Sequence, residues 1–530
     1  MLRQPPVGLF LKNAKTVLFV APVLVAMVLL WPLWSVVLPA MSDYPAHVSA
    51  LYVQMHGAHD PSLSRFYQTQ WDLVPDLASE ILVPLFAVVV PFLVSVKLFV
   101  SLGLLMWVAA PIAIHYALYR RLGVAALAGA LFAYNAAFMW GFINFYFAIG
   151  LALIVFAAWI ATEKYAGVFR TLGFAFATLV LYFSHALGVL LLALLLLFFE
   201  MMPAEDGRRG GLSRRIGVVA AVLAPAMAFF FFLRPHAVDS HKFNINIVGS
   251  FPARLAAIMQ DQFDTAAYVP LAILVVLVLA GFWIKRISLH PRMIAVLSAL
   301  LVFCIFAPSS AGGGWGTHIR FPAVLCLLFF AAMEVRLEQR QIAALAALVA
   351  GLALLNAATL YRDWHGQDRQ IAELREATNA IAPGRALFTA LDVEAVGEAD
   401  TRPYRHLAEY AIMDRQVFVP LMFTTRGQHV VHIQAAYEPI AALSSEQGHE
   451  APLPYLEEFA QGNFRGDANL RYLDRWPCHY DHVIVMHLGK SQSPVPQLLR
   501  LRHAYSFFSL YDVVRPAACE GAFATQISAG

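Results

Sequence analysis

Charge is what this chain has least of. Asp, Glu, Lys and Arg make up 13% of its 530 residues, whereas hydrophobic residues make up 60%. An average soluble domain carries about a quarter charged residues. The charge-free runs are also longer than core helices need, so a soluble globular class is excluded and a polytopic membrane protein is implied. Four cysteines are too few for a disulfide scaffold. A net charge of +3 gives no basic field for nucleic acid. No Gly-Lys-Ser/Thr follows the glycines at 312–314, which removes a P-loop. There is no internal repeat of the kind that many transporters show.

What remains is long apolar runs punctuated by basic residues. The first run, Val17 to Met41, has no charge and no small-residue cleavage site, so it reads as a retained helix rather than a signal peptide. Arg3, Lys12 and Lys15 precede it and place the N-terminus in the cytoplasm. Basic clusters then return at every second loop: Arg120-Arg121, Lys164 with Arg170, Arg208-Arg209 with Arg214-Arg215, Lys285-Arg286 with Arg292, and Arg336 with Arg340. The pattern predicts an α-helical protein of about eleven transmembrane helices, at 17–40, 95–119, 123–141, 143–162, 168–184, 186–202, 216–233, 267–285, 293–308, 319–334 and 341–360. An odd count puts everything after Tyr361 outside. Two spans in 168–202 are short, since a full crossing takes ~20 residues. One long helix is the alternative there; two spans leave Ser184-His185 in a turn sunk below the outer surface. The 123–162 hairpin is similar, with Trp140-Gly141 at its turn and Asn144 beside it.

Three outer loops are longer than a connection needs: 42–94, 234–266 and 308–320. The first opens with Met41-Ser42-Asp43-Tyr44-Pro45-Ala46-His47. A carboxylate at a membrane mouth is costly and marks a functional candidate. Ser42 or Asp43 can cap a helix, Pro45 suits its first turn, and His47 falls on the same face as Asp43. The plainer reading is a capping box that starts a surface helix. Glu80 lies further along, and Pro84 to Val94 is apolar but too short to cross, which predicts an interfacial segment. His56, His59 and Asp60 have only a loose metal-ligand spacing without a second cluster. The second loop offers Lys242 among Arg234, His236, His241 and Arg254; the third ends in His318-Ile319-Arg320. The Arg320 fork suits a lipid phosphate, its plainer role being to snorkel to headgroups. His185 beside Ser184 reads first as a hydrogen-bonded structural histidine.

After Tyr361 the charges return and the apolar runs shorten. A helix is expected over 367–381, ended by Ala382-Pro383-Gly384, then strands at 385–391, 417–423, 482–488 and 505–514. The division is thus a transmembrane module at 1–360 and an external α/β domain at 361–530, large enough for its own core. Cys304 and Cys326 fall within spans. Cys478 and Cys519 both fall outside, where an oxidising compartment permits a disulfide between them.

This layout resembles the GT-C superfamily of integral-membrane glycosyltransferases. The likeness covers the whole architecture, and its specific part is Ser42-Asp43-Tyr44-Pro45-Ala46-His47, with Ser184-His185 and Arg320-Phe321-Pro322 less specific. The resemblance implies a sugar moved from a polyprenyl-phosphate donor to an acceptor hydroxyl on a lipid, glycan or protein. It would occur with inversion, at the periplasmic face of a bacterial inner membrane. It makes Asp43 the catalytic carboxylate, a general base supplying roughly 10²–10⁴-fold in rate. His47, Tyr44, Glu80, His185, Lys242, His318 and Arg320 become the substrate-binding candidates. Many members carry paired acids where this chain has Tyr44, so a divalent metal loses one ligand and no cofactor is assigned. The competing expectations are a lipid or solute transporter or flippase, and a non-catalytic envelope assembly protein.

Overall fold

The computed structural model describes residues 14–165, 167–203, 211–233, 254, 275–311, 314–392, 404–442, 450–462, 468–488 and 493–519. Helices dominate, and a small sheet lies near the C-terminus. Their lengths follow the apolar runs. Among the described residues five helices are long and apolar enough to cross a membrane. The first is α1 (Ala14–Ser35). It is followed by α2 (Tyr44–His56), the short strand β1 (Tyr67–Thr69) and α3 (Ala78–Ala87), which belong to the first loop. Then come the long α4 (Phe92–Tyr119) and α5 (Ile143–Ala161). Two shorter apolar helices, α6 (Val168–Ser184) and α7 (Ala186–Met201), precede α8 (Leu212–Ala228), which continues through Phe229–Leu233. Next are α9 (Pro291–Phe306), α10 (Pro322–Ala331) and α11 (Gln339–Thr378).

Several boundaries differ from expectation. The run at 123–141 is not one helix but Val124–Ala128, a tighter turn, and Ala136–Met139. Asn135 breaks it: its side chain accepts from Phe138 N at 3.2 Å and donates to Phe132 O at 2.9 Å, satisfying backbone groups that a continuous helix would pair internally. The ambiguous 168–202 stretch is two helices. The backbone turns at His185 (φ −175°, ψ 131°), and its ring accepts from Leu187 N to cap α7. The apolar run Pro84 to Val94 is divided between the end of α3, an exposed turn at Val88-Val89, and the start of α4.

The helix expected over 367–381 is the distal part of α11, a single 40-residue helix. At 1.5 Å per residue it spans ~60 Å, about twice a hydrocarbon core. No proline lies between Tyr361 and Thr378, and the helix runs through Gly366, whose cost of about 1 kcal/mol the rest of the helix absorbs. Its apolar half packs along α1, where Trp31 stacks on Tyr361 at 4.6 Å and Leu38 N donates to Asp368. Its charged half reaches the sheet domain, where Arg375 forks onto Asp414 at 2.6 and 2.7 Å.

The C-terminal sheet contains β2 (Leu387–Asp392), β4 (Ala451–Pro452), β5 (His482–His487), β6 (Leu499–Ala504) and β7 (Phe508–Val513), ordered β6-β7-β5-β2-β4. The strand expected at 505–514 is shorter and pairs with an additional one at 499–504. The run at 417–423 is buried and, among the described residues, meets the sheet through a bridge from Phe418 to Ala386. Strand β3 (Val431–Ile433) leaves this sheet altogether. It pairs antiparallel with β1 of the first loop, Tyr67 opposite Ile433. Tyr67 Oη accepts from Val419 N at 2.9 Å, and Ser49 Oγ on α2 donates to Glu409 O at 2.7 Å. The first loop and the C-terminal domain therefore share one core. A disulfide joins Cys478 to Cys519, Cα atoms 5.2 Å apart, while Cys304 and Cys326 are free.

Candidate active site

The site begins with a backbone clamp. Ser42 N donates to Met139 O at 3.2 Å and Asp43 N to Trp140 O at 2.9 Å, seating the start of α2 on the 139–141 turn. Gly141 has φ +78°, and a Cβ there would lie 2.9 Å from Tyr44 N. Only glycine allows both the left-handed backbone and so close an approach. Asp43 occupies the N-cap position, and its carbonyl accepts from His47 N at 3.1 Å. Its side chain, however, makes no capping bond. Its backbone is helical (φ −93°, ψ −2°), so the cap expected from the sequence is not formed and the carboxylate is left for other work.

That carboxylate is buried, at 9% exposure. It stands near positively charged groups. His406 Nε2 is 3.9 Å from Asp43 Oδ1, and the charges of Arg405 and Arg320 also act on it. Burial raises the Asp43 pKa from its ordinary value, and His406, Arg405 and Arg320 pull it back only in part. His406 is held from behind by Glu409, Nδ1 to Oε1. Burial opposes its protonation, but the Glu409 and Asp43 carboxylates outweigh burial and raise its pKa. The result is a buried row of Asp43, His406 and Glu409. Its anchor residue, His406, adopts a left-handed φ of +60° that few non-glycine residues take.

His47 projects from α2 one turn beyond Asp43, edge-on to Phe423 at 5.0 Å. Burial, then His429 and His406, lower its pKa to about 3, so it is neutral at working pH. Tyr44 is fully buried, and its hydroxyl lacks a hydrogen-bond partner. Arg320 ends the short helix Thr317–Arg320, donates to Trp315 O at 2.8 Å, and lies 3.9 Å over the Phe142 ring. Those contacts leave it buried. His318 sits beside it, edge-on to Trp315. Arg405 lies 5.6 Å from the Trp140 ring, so the turn that clamps Asp43 also carries an aromatic face under a cation.

Other candidates have structural duties. Glu80 Oε2 accepts from Ser79 Oγ at 2.8 Å and Asn144 Nδ2 at 3.0 Å, pinning α3 to the start of α5. His185 caps α7 and meets Phe145 edge-on at 5.5 Å, although Arg320 and His47 are near enough for their charges to reach it. Asp60 accepts from Ser62 N and Leu63 N, and His56 stacks on Tyr52, so that cluster is committed to local structure. Lys242 lies outside the described residues. Among the described residues no group of three or more His, Cys, Asp or Glu side chains is placed to hold a metal ion.

Arg405, His406 and Glu409 escape the sequence reading. Their only local signal is an Arg-His-x-x-Glu spacing that puts His406 and Glu409 one turn apart. Nothing in it points to Asp43, more than 360 residues earlier. Searches against protein-family models, curated proteins and solved structures find no match to this chain. Chemically, the arrangement offers a base of raised basicity and a set of fixed positive charges over aromatic faces.

Proposed function

We propose that the chain is a membrane glycosyltransferase of GT-C type that moves a sugar from a polyprenyl-phosphate donor to an acceptor hydroxyl. The observation that carries this reading is Asp43, a buried carboxylate without a cap bond, clamped just after the first apolar helix and faced by Arg320, Arg405 and His406. In the reaction Asp43 takes the acceptor hydroxyl proton as that oxygen bonds to the anomeric carbon. The bond from that carbon to phosphate oxygen breaks on the opposite face, and polyprenyl phosphate leaves. One displacement inverts the centre. Arg320 and Arg405 offset the charge that grows on the leaving phosphate, where preformed cations act most strongly. His406, steadied by Glu409, keeps Asp43 oriented and favours its ionised form. His47 and Tyr44 offer hydrogen bonds to the sugar or acceptor.

In this reading about eleven spans place the site at the outer face of a bacterial inner membrane, with the C-terminal domain in the periplasm. The Cys478–Cys519 disulfide supports that side. Nucleotide sugars are scarce there, which favours a lipid-linked donor. The test is purified protein offered a panel of polyprenyl-phosphate-linked sugars, with lipid binding followed by native mass spectrometry. The parent should consume at least one donor and release polyprenyl phosphate, while Asp43→Asn should bind that donor and leave it intact. Full turnover by Asp43→Asn, or a parent that binds no polyprenyl phosphate, overturns the proposal.

A further inference from the structure

We propose that the C-terminal sheet carries a second catalytic centre, a Ser509–His487–Asp392 triad that cleaves acyl esters. The three residues come from adjacent strands: Asp392 ends β2, His487 ends β5, and Ser509 lies on β7. The register places them together, because Asp392 pairs with His487, and Ser509 pairs with Val485, two residues before His487 on the same face. His487 Nε2 is 2.9 Å from Ser509 Oγ, and His487 Nδ1 is 3.4 Å from Asp392 Oδ2. Each ring nitrogen thus meets the partner that nucleophilic catalysis requires of it. With the proton on Nδ1 donated to Asp392, Nε2 is left to accept from the serine hydroxyl.

The acid is itself supported. Asp392 is buried, and its Oδ1 accepts from Ser493 N at 3.3 Å. Ser509 is buried too, whereas the His487 side chain is 31% exposed. In the reaction Ser509 Oγ attacks the ester carbonyl and gives its proton to His487 Nε2. The ester C–O bond breaks and His487 returns the proton to the departing alcohol. Water then hydrolyses the acyl-serine by the same route, releasing a carboxylic acid. No oxidant, reductant or metal is consumed. The centre is independent of Asp43 and stands whether or not the glycosyl-transfer reading does.

The experiment treats the full chain, in detergent micelles, with a fluorophosphonate probe, locates the adduct by peptide mass spectrometry, and follows hydrolysis of p-nitrophenyl esters. The expected result is an adduct on Ser509 that is absent from Ser509→Ala. Ester hydrolysis should fall by at least ~100-fold in His487→Gln. A natively melting parent whose Ser509 stays unlabelled overturns the proposal, and so does ester hydrolysis that survives in Ser509→Ala. The labelling of the parent keeps the test decisive even where a variant fails to fold.

Discussion

Asp43 is held against its own solvation preference. Its pKa is raised in the folded state, so the fold binds its proton more tightly than the unfolded chain does. Its contribution to stability is therefore present at low pH and lost as pH rises through the folded pKa. At neutral pH Asp43→Asn is expected to melt at the parent temperature or above it while donor turnover disappears, a pairing that a purely structural carboxylate would not give. Turnover should also rise with pH as Asp43 ionises. His406→Gln removes the largest of the charge effects that hold the Asp43 pKa down, so the midpoint of that rise should move to higher pH; an unmoved midpoint would remove His406 from the site. Gly141→Ala combines a left-handed φ with a 2.9 Å approach to Tyr44 N. It should cost about 1–3 kcal/mol by thermal melting and depress turnover, because the clamp on Asp43 must shift.

Among the elements, the α6–α7 break shows how one side chain decides architecture. Both halves are apolar, and what separates them is the extended backbone at His185 and its cap on Leu187 N. His185→Ala should lower stability by about 1 kcal/mol, and His185→Asn, whose side chain can also cap, should restore most of it. Turnover that stays depressed in a stable His185→Asn would instead assign the ring a role toward substrate, since Arg320 and His47 lie near. Helix α11 makes the opposite point. A shift in composition at Tyr361 reads as a boundary in sequence, but helix propensity carries the backbone through it. One rigid rod then connects the packing against α1 to the packing against the sheet.

For the whole molecule, the decisive feature is that the first loop and the C-terminal domain are interlocked, by β1 on β3, by Tyr67 on Val419, and by Ser49 on Glu409. The disulfide closes a loop across 41 residues of that shared body. Cys478→Ser is expected to lower stability by up to about 4 kcal/mol on the loop-entropy account, read as a lower melting temperature that added reductant reproduces in the parent. If reductant leaves the parent melt unchanged, the bond contributes nothing to the fold. The apolar runs, the first-loop patch around Asp43, the cysteine pair and the positions of β2, β5 and β7 were legible in the sequence. Each depends on local composition, spacing or compartment. What tertiary structure alone decided was the company Asp43 keeps. Glu80 became a strut through Asn144, and Arg405, His406 and Glu409 arrived from the far end of the chain. No periodicity encodes a contact across that separation; it exists because two surfaces, each incomplete alone, bury their apolar faces together and leave their charges facing one another.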